Sequence, residues 1–501
     1  MRRRLSTILT TSSAVIAITA TAIAPAAAAD PAEHLDSATI PALQRQMAAG
    51  RLSAVGLTSA YLRRIRTVDR EVHAVMRVEP DALAQAAASD RRRRSNALRG
   101  PLDGIPVLLK DNIDAGVTTA GSRALLGSRP AKDAELVRKL RAAGAVILGK
   151  TNLSEWANFR STKATSGWSG VGGQTANPHV LDRNPCGSSS GSGAAVAASL
   201  AQVAIGTETN GSIVCPAGAT GVVGLKPTLG VVSGEGVVPI SHEQDTAGPM
   251  ARHVVDVAIT LDALRARPAA TAPASLRGSR IGVWRRAGAD PDVDRVLNST
   301  VDLLRVNGVT VVDVEPPYLD QAGEHSLDVL LSEFKRDLPA YLATRSCGPK
   351  TLDELVRFNA KDPVELSKFG QELFTRTLTA APTTDPEYRR KRALVTDLSR
   401  RSIDETLAEH RLDAILAPTN SPAWKTEYGE GDAFVLGSSA PAAMAGYPNI
   451  TVPAGAAGPL PIGVSLFAGR DSDARLLALA AGFERLRPAR LTPRYLPTLP
   501  R

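Results

Sequence analysis

Short apolar runs, each long enough for one buried strand, occur near both ends of this chain and alternate with helical segments. The runs are residues 105–109, 145–148, 202–206, 414–418, 449–455 and 461–469. Buried strands that alternate with helices are typical of an α/β sheet. Neither half of the chain has a closed set of strands, so we predict that strands from both ends join one sheet.

Helical patterns surround these strands in the sequence. The predicted helices are residues 37–47, 53–68, 134–143, 194–202 and 472–485, with Ser37 and Ser53 as N-caps of the first two. Residues 268–410 are more polar and helical, and Pro and Thr at 379–386 indicate a loop. We interpret 268–410 as a lobe or insertion within one domain. With 43% hydrophobic and 22% charged residues, the composition is that of an ordinary folded protein.

The N-terminal residues follow the order of a secretory signal. Arg2–Arg4 are basic, an apolar stretch covers residues 14–24, and small residues end at Ala29. We therefore predict that residues 1–29 are a signal peptide and that residues 30–501 are a secreted domain. The alternative is an uncleaved anchor helix, but two threonines and a proline make the stretch weak for a stable span. No later apolar segment is long enough to predict a membrane span after cleavage.

Composition and charge argue against several classes of partner. Loss of three arginines with the signal lowers the formal net charge from +9 to +6. The basic runs at 91–94 and 389–392 lie in helical stretches without interleaved aromatics, so no nucleic-acid partner is predicted. Cys186, Cys215 and Cys347 form no CxxC or Cys/His cluster, so no metal site and no cofactor are predicted. An odd cysteine count leaves at least one thiol free. The sequence does not decide whether Cys186 and Cys215 bond, and inert buried thiols are favoured over thiols whose modification would inhibit the protein.

Two motif matches are rejected on their physical context. Residues 144–151 satisfy the phosphate-loop pattern GxxxxGK[ST], but Val146, Ile147 and Leu148 indicate a strand where that motif needs a glycine-rich turn. Residues 187–191 match GxSxG, which would make Ser189 a nucleophile. The preceding segment is proline-containing and lacks the alternation of a strand, so this interpretation is also disfavoured.

Two strand ends carry residues suited to acyl transfer. Ser212 follows a buried strand, and the backbone N–H groups of Thr209, Asn210 and Gly211 are placed to converge on one point as an oxyanion site. Lys110 ends a strand that is predicted to be buried on both faces. Desolvation of such a lysine lowers its pKa toward about 7 or 8, which would make it a general base beside serine hydroxyls.

Together these motifs resemble the amidase signature family. The family patterns GGSSGGS, GTDxGGSIRxP and GxxGLKPT correspond to residues 186–192, 206–216 and 221–228, and Ser188 and Ser212 are 24 positions apart, as in the family. The resemblance covers nearly all of the mature chain. It implies a single-domain α/β fold, with a mixed central sheet covered by helices on both faces.

The resemblance also implies a Ser-Ser-Lys triad. Ser212 takes the position of the nucleophile, Lys110 that of the base, and Ser188 that of a proton relay on a cis non-proline peptide bond. The implied reaction passes through an acyl-enzyme that water hydrolyses. The sequence departs from the family pattern at Glu208, which replaces an aspartate, and at Val214, which replaces its arginine partner. Glu208 must therefore be held differently.

The motifs are most similar to those of the bacterial peptide amidase branch. This similarity implies a peptide amide substrate, with removal of the C-terminal amide and release of ammonia. An amidase of small aliphatic or aryl amides with the same mechanism is the first alternative. A catalytically silent binding protein on the same scaffold is a second, and the retention of Lys110, Ser188 and Ser212 argues against it.

Overall fold

The strands of the protein form one large sheet and one small one. The structure, a computed structural model, describes residues 35–265 and 276–500. The predicted signal peptide, residues 1–29, lies outside these residues. The strands are β1 Val75–Val78, β2 Pro106–Lys110, β3 Val146–Thr151, β4 Trp168–Ser169, β5 Gly173–Gln174, β6 Val203–Glu208, β7 Val223–Lys226, β8 Thr246–Ala251, β9 Arg280–Val283, β10 Thr310–Asp313, β11 Ala414–Pro418, β12 Asn449–Ala457 and β13 Leu460–Phe467.

Helices occupy most of the chain between these strands. They are α1 Ile40–Ala48, α2 Ala54–Val72, α3 Ala82–Arg94, α4 Glu135–Ala142, α5 Ser190–Ala197, α6 Val214–Thr220, α7 Val254–Leu264, α8 Pro291–Val306, α9 Leu319–Glu324, α10 Ser326–Ala343, α11 Leu352–Lys361, α12 Glu372–Thr379, α13 Pro386–His410, α14 Ala440–Ala445 and α15 Asp473–Leu486. Among the described residues, no helix is both long and apolar enough to cross a membrane.

The large sheet is mixed and contains strands from both ends of the chain. Its order is β1-β3-β2-β6-β8-β7-β12-β13-β11-β9-β10. Strand β2 is parallel to β3 and to β6, whereas β6 is antiparallel to β8. Every residue of β2, β3 and β6 is buried. Because successive side chains point to opposite faces of a sheet, helices must cover both faces here. The predicted single-domain α/β fold with one mixed sheet is confirmed.

The parallel arrangement of β2 and β6 positions the candidate site. Leu108 of β2 pairs with Ala204 of β6, so the carboxyl ends of the two strands meet at one edge of the sheet. Lys110 is the last residue of β2, and the loop that carries Ser212 begins directly after β6. Two segments far apart in sequence are therefore neighbours because of strand order.

Two predicted helices begin at the wrong residue, and the helix predicted to end at residue 68 continues to Val72. Helix α1 is capped by Thr39, whose Oγ1 accepts the Ala42 N–H, and not by Ser37. Helix α5 covers Ser190–Ala197 and not 194–202, because Ser199 adopts a left-handed backbone conformation (φ 55°) that a helix cannot continue through. The predicted Ser53 cap is present, since its Oγ accepts a backbone N–H three residues later.

The interval 268–410 contributes to the sheet as well as to the helical cover. Strands β9 and β10, both within this interval, extend one edge of the large sheet. Helices α10 to α12 surround a separate apolar cluster that includes Phe334 and Phe374. Its loop at 380–385, between α12 and α13, agrees with the prediction.

Candidate active site

Lys110 lies at the end of β2 with no exposed surface. Its Nζ donates hydrogen bonds to Ser188 Oγ (2.7 Å), Thr207 Oγ1 (2.9 Å) and Thr207 O (3.2 Å). Burial lowers the pKa of Lys110 to about 7, and the charges of Asp245 and Glu208 oppose this shift less strongly. Because the oxygens around Nζ are uncharged, a neutral amine is accessible near neutral pH. The predicted desolvated lysine is present.

Two residues beside Lys110 were not found from the sequence. Thr207, on β6, accepts from both Lys110 Nζ and Asn112 Nδ2, so its hydroxyl links the ends of two strands. Thr207 lies within the motif at residues 206–216, and Asn112 is two positions after Lys110. A threonine within one strand and an asparagine just after another strand usually have structural roles, so the sequence pattern did not single out either residue.

Ser188 lies in a tight turn of small residues, 186–189, here called the Ser188 turn. The Gly187–Ser188 peptide bond is cis, as the resemblance implied, and Ser188 is fully buried. A Cβ on Gly187 would lie 2.7 Å from Ser166 Oγ, and one on Gly191 would lie 2.5 Å from a backbone carbonyl oxygen. Only glycine fits at these two positions, so a larger side chain at either one would block the turn.

The Ser212 loop, residues 209–213, connects β6 to α6. Glu208, at the end of β6, accepts the N–H groups of Ile213 (2.8 Å) and Val214 (3.0 Å) through Oε2. The start of α6 thus holds the glutamate in place of the arginine that is usual in the family. Within the described residues, the N–H groups of 209–212 donate to no protein acceptor, so they are available to a developing oxyanion.

Side chains outside the motifs fix the first part of this loop. Thr209 donates through its hydroxyl to Asp245, and Gln244 Nε2 donates to the Thr209 carbonyl (2.8 Å). Burial raises the pKa of Asp245 to about 6. The Asn210 carboxamide oxygen accepts from Ser439 Oγ (2.7 Å), which joins the loop to the opposite side of the site. These hydrogen bonds fix Thr209 and Asn210 within the loop.

Ser212 and Ser189 have contrasting environments. Ser212 is half-buried, follows Gly211 in a left-handed conformation (φ 80°), and has no partner for its hydroxyl among the described residues. Its carbonyl accepts the Ser189 N–H (3.1 Å), which ties the two loops together. The Ser189 hydroxyl is buried and hydrogen-bonds to both backbone groups of Thr207. Ser189 therefore supports the site, and Ser212 is the serine open to a substrate.

Cys186 and Cys215 form a disulfide. The sequence left open whether these two residues bond, and the favoured interpretation of inert buried thiols is replaced by a disulfide. The fold brings the two Cα atoms to 5.9 Å although the residues are 29 positions apart, because the Ser188 turn packs beside the first turn of α6. The disulfide thus joins the segments that precede Ser188 and follow Ser212. Cys347 is the free cysteine and is exposed.

A cleft of about 480 Å³ opens onto the Ser212 loop and the Ser188 turn. Its far wall is the cleft loop, residues 419–440. Apolar and polar side chains share the lining, which includes Phe159, Ile240, Leu330, Phe434, Asn158 and Asn420. The carboxamide oxygens of both asparagines are buried and lack donors among the described residues. A second cavity, of about 500 Å³, is lined by Asp245 but reaches none of the predicted serines or Lys110.

The rejected motif matches have structural roles in the fold. Val146–Leu148 lie in β3 as expected, and the following Lys150 is buried and paired with Asp111 (3.4 Å). Within residues 35–265 and 276–500, no group of three or more His, Cys, Asp or Glu side chains is arranged to hold a metal ion.

Comparison with known proteins agrees with this geometry. A family model described as Amidase matches residues 56–477, which include both loops and Lys110. The chain belongs to the amidase signature family. The resemblance stated from the motifs is confirmed, and the protein is an amide hydrolase by its family and its structural relatives.

Individual relatives of this amidase cover nearly the whole chain. The native peptide amidase of Stenotrophomonas maltophilia is 45% identical, with a TM-score of 0.85 over 92% of this chain and 99% of that chain. A probable amidase of Arabidopsis thaliana is 38% identical over 92% of both proteins. An amidase family protein of Bacillus anthracis is 30% identical, with a TM-score of 0.84 over 92% of this chain and 93% of that chain.

Proposed function

We propose that this amidase hydrolyses C-terminal amides of peptides, with Ser212 as nucleophile, Ser188 as relay and Lys110 as base. The observation that carries the proposal is the 2.7 Å hydrogen bond from Lys110 Nζ to Ser188 Oγ inside the protein, beside the loop that presents Ser212. A buried amine with a pKa near 7 is matched to proton transfer at neutral pH.

The proton moves away from the nucleophile as the new bond forms. Ser212 Oγ attacks the carboxamide carbon and gives its proton to Ser188 Oγ, whose own proton passes to the neutral Lys110 Nζ. The N–H groups at 209–212 stabilise the oxyanion. Collapse of the tetrahedral intermediate breaks the carbon–nitrogen bond, and the proton returns through Ser188 to the leaving ammonia. Water then hydrolyses the acyl-enzyme by the same route.

Two observations support a peptide amide as the substrate. The identity of 45% to a peptide amidase extends across the whole domain. The cleft, at about 480 Å³, has room for more than a small carboxamide and mixes apolar side chains with unpaired oxygens of Asn158 and Asn420. Unpaired buried acceptors favour a ligand that supplies N–H donors, as a peptide amide does.

The nucleophile is tested with Ser212→Ala and the matched control Ser189→Ala. We expect Ser212→Ala to lower kcat/KM for ammonia release at least about 1,000-fold, whereas Ser189→Ala stays within about tenfold of the unchanged enzyme. A serine-directed fluorophosphonate should label Ser212, as located by peptide mass. Unchanged hydrolysis by Ser212→Ala would contradict the assignment, and absence of hydrolysis on all amides would favour a silent binding protein.

The substrate class is tested by ammonia release from peptide amides, acetamide and benzamide under identical conditions. We expect kcat/KM to be highest for the peptide amides, because they alone fill the cleft. Activity confined to acetamide or benzamide would overturn the peptide assignment and leave a small-amide amidase with the same mechanism.

Export remains a further part of the proposal. The order of residues 1–29 supports a cleaved signal, and a disulfide between Cys186 and Cys215 fits an oxidising compartment. Expression of the full chain in a bacterial host should yield an extracytoplasmic product that begins at Asp30 by N-terminal sequencing. A product that keeps Met1 and stays in the cytoplasm would contradict it.

A further inference from the structure

Asp432, in the cleft loop, is an acidic residue without a cationic partner among the described residues. Its carboxylate lines the same cleft as Ser212. It accepts the Ser166 N–H (3.0 Å) and the Ser166 hydroxyl (2.5 Å), and the Trp424 side chain is a third donor. Burial raises the pKa of Asp432 because these neutral donors do not replace the lost solvation. A further donor from a ligand would stabilise the ionised form.

Two contacts connect this carboxylate to the Ser188 turn. Ser166 Oγ donates to Asp432, and it lies so close to Gly187 that a Cβ there would be 2.7 Å away. Asn158 Nδ2 donates to the same hydroxyl (2.9 Å). Asp432 is therefore connected through Ser166 to the turn that carries Ser188, and it lines the same cleft as Ser212.

The cleft loop that carries Asp432 is fixed at several points. Thr165 Oγ1 donates to the Glu427 carbonyl (2.8 Å), and the rings of Trp424 and Phe434 lie 5.7 Å apart. At its far end the Ser439 hydroxyl bonds to the Ser212 loop through Asn210. The loop thus holds its carboxylate in a defined position relative to the nucleophile.

The apolar part of the cleft loop is open to a ligand. Phe434 and Val435 follow Asp432 almost directly, line the cleft, and keep 50% and 64% of their surface exposed. In the cleft, Asp432 provides a hydrogen-bond acceptor, and Phe434 and Val435 provide an apolar surface. These residues line the same cleft as Ser212. The α-carbon of an amino acid amide bears a nitrogen and a side chain, which match these two features.

We propose that Asp432 is a specificity-determining residue that accepts a hydrogen bond from the nitrogen on the substrate's α-carbon. The residue thereby selects amino acid amides and peptide amides over carboxamides that lack this nitrogen. Phe434 and Val435 contact the side chain on the same carbon. This inference rests on the proposed function and adds the group by which the substrate is recognised.

The test compares N-acetylphenylalanine amide with hydrocinnamamide, which lacks only the acetylated nitrogen. For the unchanged enzyme we expect kcat/KM to favour the first compound by at least about 30-fold, since an unfilled polar site costs about 2 kcal/mol. Asp432→Ala should lower kcat/KM for N-acetylphenylalanine amide by about the same factor. Its kcat/KM for hydrocinnamamide should stay within about threefold, which also shows that the variant is folded.

Asp432→Asn and Phe434→Ala are the matched controls. Asp432→Asn keeps one acceptor oxygen and should recover part of the preference, whereas Phe434→Ala should lower kcat/KM for both compounds equally. An equal loss on both compounds in Asp432→Ala, or no preference in the unchanged enzyme, would overturn the inference. If the unchanged enzyme hydrolyses neither compound, the proposed function fails and this inference fails with it.

Discussion

Lys110 and Lys150 lie on neighbouring parallel strands and are both buried, but their surroundings differ. Lys150, one position from the end of β3, pairs with Asp111 and donates to Thr118 Oγ1 (3.0 Å) and to the Ile113 carbonyl. Among the residues that the structure describes, Nζ of Lys110 bonds to hydroxyl and carbonyl oxygens and to no carboxylate. Burial lowers the pKa of both lysines, and for Lys150 the contacting carboxylate opposes this shift.

The difference shows that burial alone does not make a base. A carboxylate in contact stabilises the ammonium, so Lys150 is suited to hold two strand ends together as a charged pair. An amine bonded to neutral oxygens can release and accept a proton near neutral pH. The chemistry of the partners therefore separates a structural lysine from a reactive one at nearly the same place in the sheet.

Lys110→Met gives the largest expected effect. The variant removes the proton acceptor while it keeps the length and most of the volume of the side chain. We expect kcat/KM to fall about 1,000-fold or more, with the free energy of unfolding within about 2 kcal/mol of the original. Ammonia release and urea unfolding measure the two quantities. A variant that kept a tenth of the activity would show that another group is the base.

Lys150→Met should act mainly on stability. Its removal leaves the buried Asp111 carboxylate without its cation, so we expect a loss of about 3 kcal/mol in the free energy of unfolding. For the folded fraction, kcat should change by less than about tenfold. If Lys150→Met destabilised the protein no more than Lys110→Met does, the contrast between the two lysines would not hold.

The pH dependence of kcat/KM should follow the ionisation of Lys110. Its pKa is lowered to about 7, so the neutral form predominates above that pH and the rate falls about tenfold per unit below it. Asp245 ionises nearby, because burial raises its pKa to about 6. Asp245→Asn removes a charge that raises the pKa of Lys110, so the ionisation seen in kcat/KM should move to lower pH in this variant. A flat profile between pH 6 and pH 8 would contradict the assignment of the base.

Ser188 and Ser189 are adjacent in the sequence, but we expect their substitution to change kcat/KM by very different factors. Ser188→Ala should lower kcat/KM at least about 1,000-fold because it interrupts the path from Ser212 to Lys110. Ser189→Ala removes hydrogen bonds to the backbone of Thr207. We therefore expect kcat/KM to fall less than about tenfold and the free energy of unfolding to fall by about 1 kcal/mol. Equal losses of kcat/KM in both variants would mean that activity depends on the conformation of the Ser188 turn and not on a proton relay through Ser188.

The sequence predicted much of the fold and of the site because local patterns carried the information. Buried strands occur in the sequence as uninterrupted apolar runs, and β2, β6 and β11 to β13 lie where those runs are. Lys110 was found because it ends such a run. The N-cap of α1 and the length of α5 were missed, since single-residue conformations such as that of Ser199 leave no periodic signal.

What the sequence could not reveal depends on strand order and loop packing. Thr207, Asn112 and Asp245 are ordinary polar residues in sequence and become site residues only because β2 lies beside β6 and β8 beside β6. The sequence left the Cys186–Cys215 bond undecided for the same reason. Asp432 is more than 200 residues from Ser212 in the chain, and no local pattern connects them.

The sequence by itself determined the family, the α/β class and the three residues proposed for the chemistry, Lys110, Ser188 and Ser212. Each of these can be recognised from short contiguous motifs. The tertiary structure alone decided which buried lysine has neutral partners, how Glu208 is held, which serine faces the cleft and which acid borders it. The physical reason is that a pKa, a hydrogen bond and an open surface depend on neighbours in space, and the sheet brings those neighbours from distant parts of the chain.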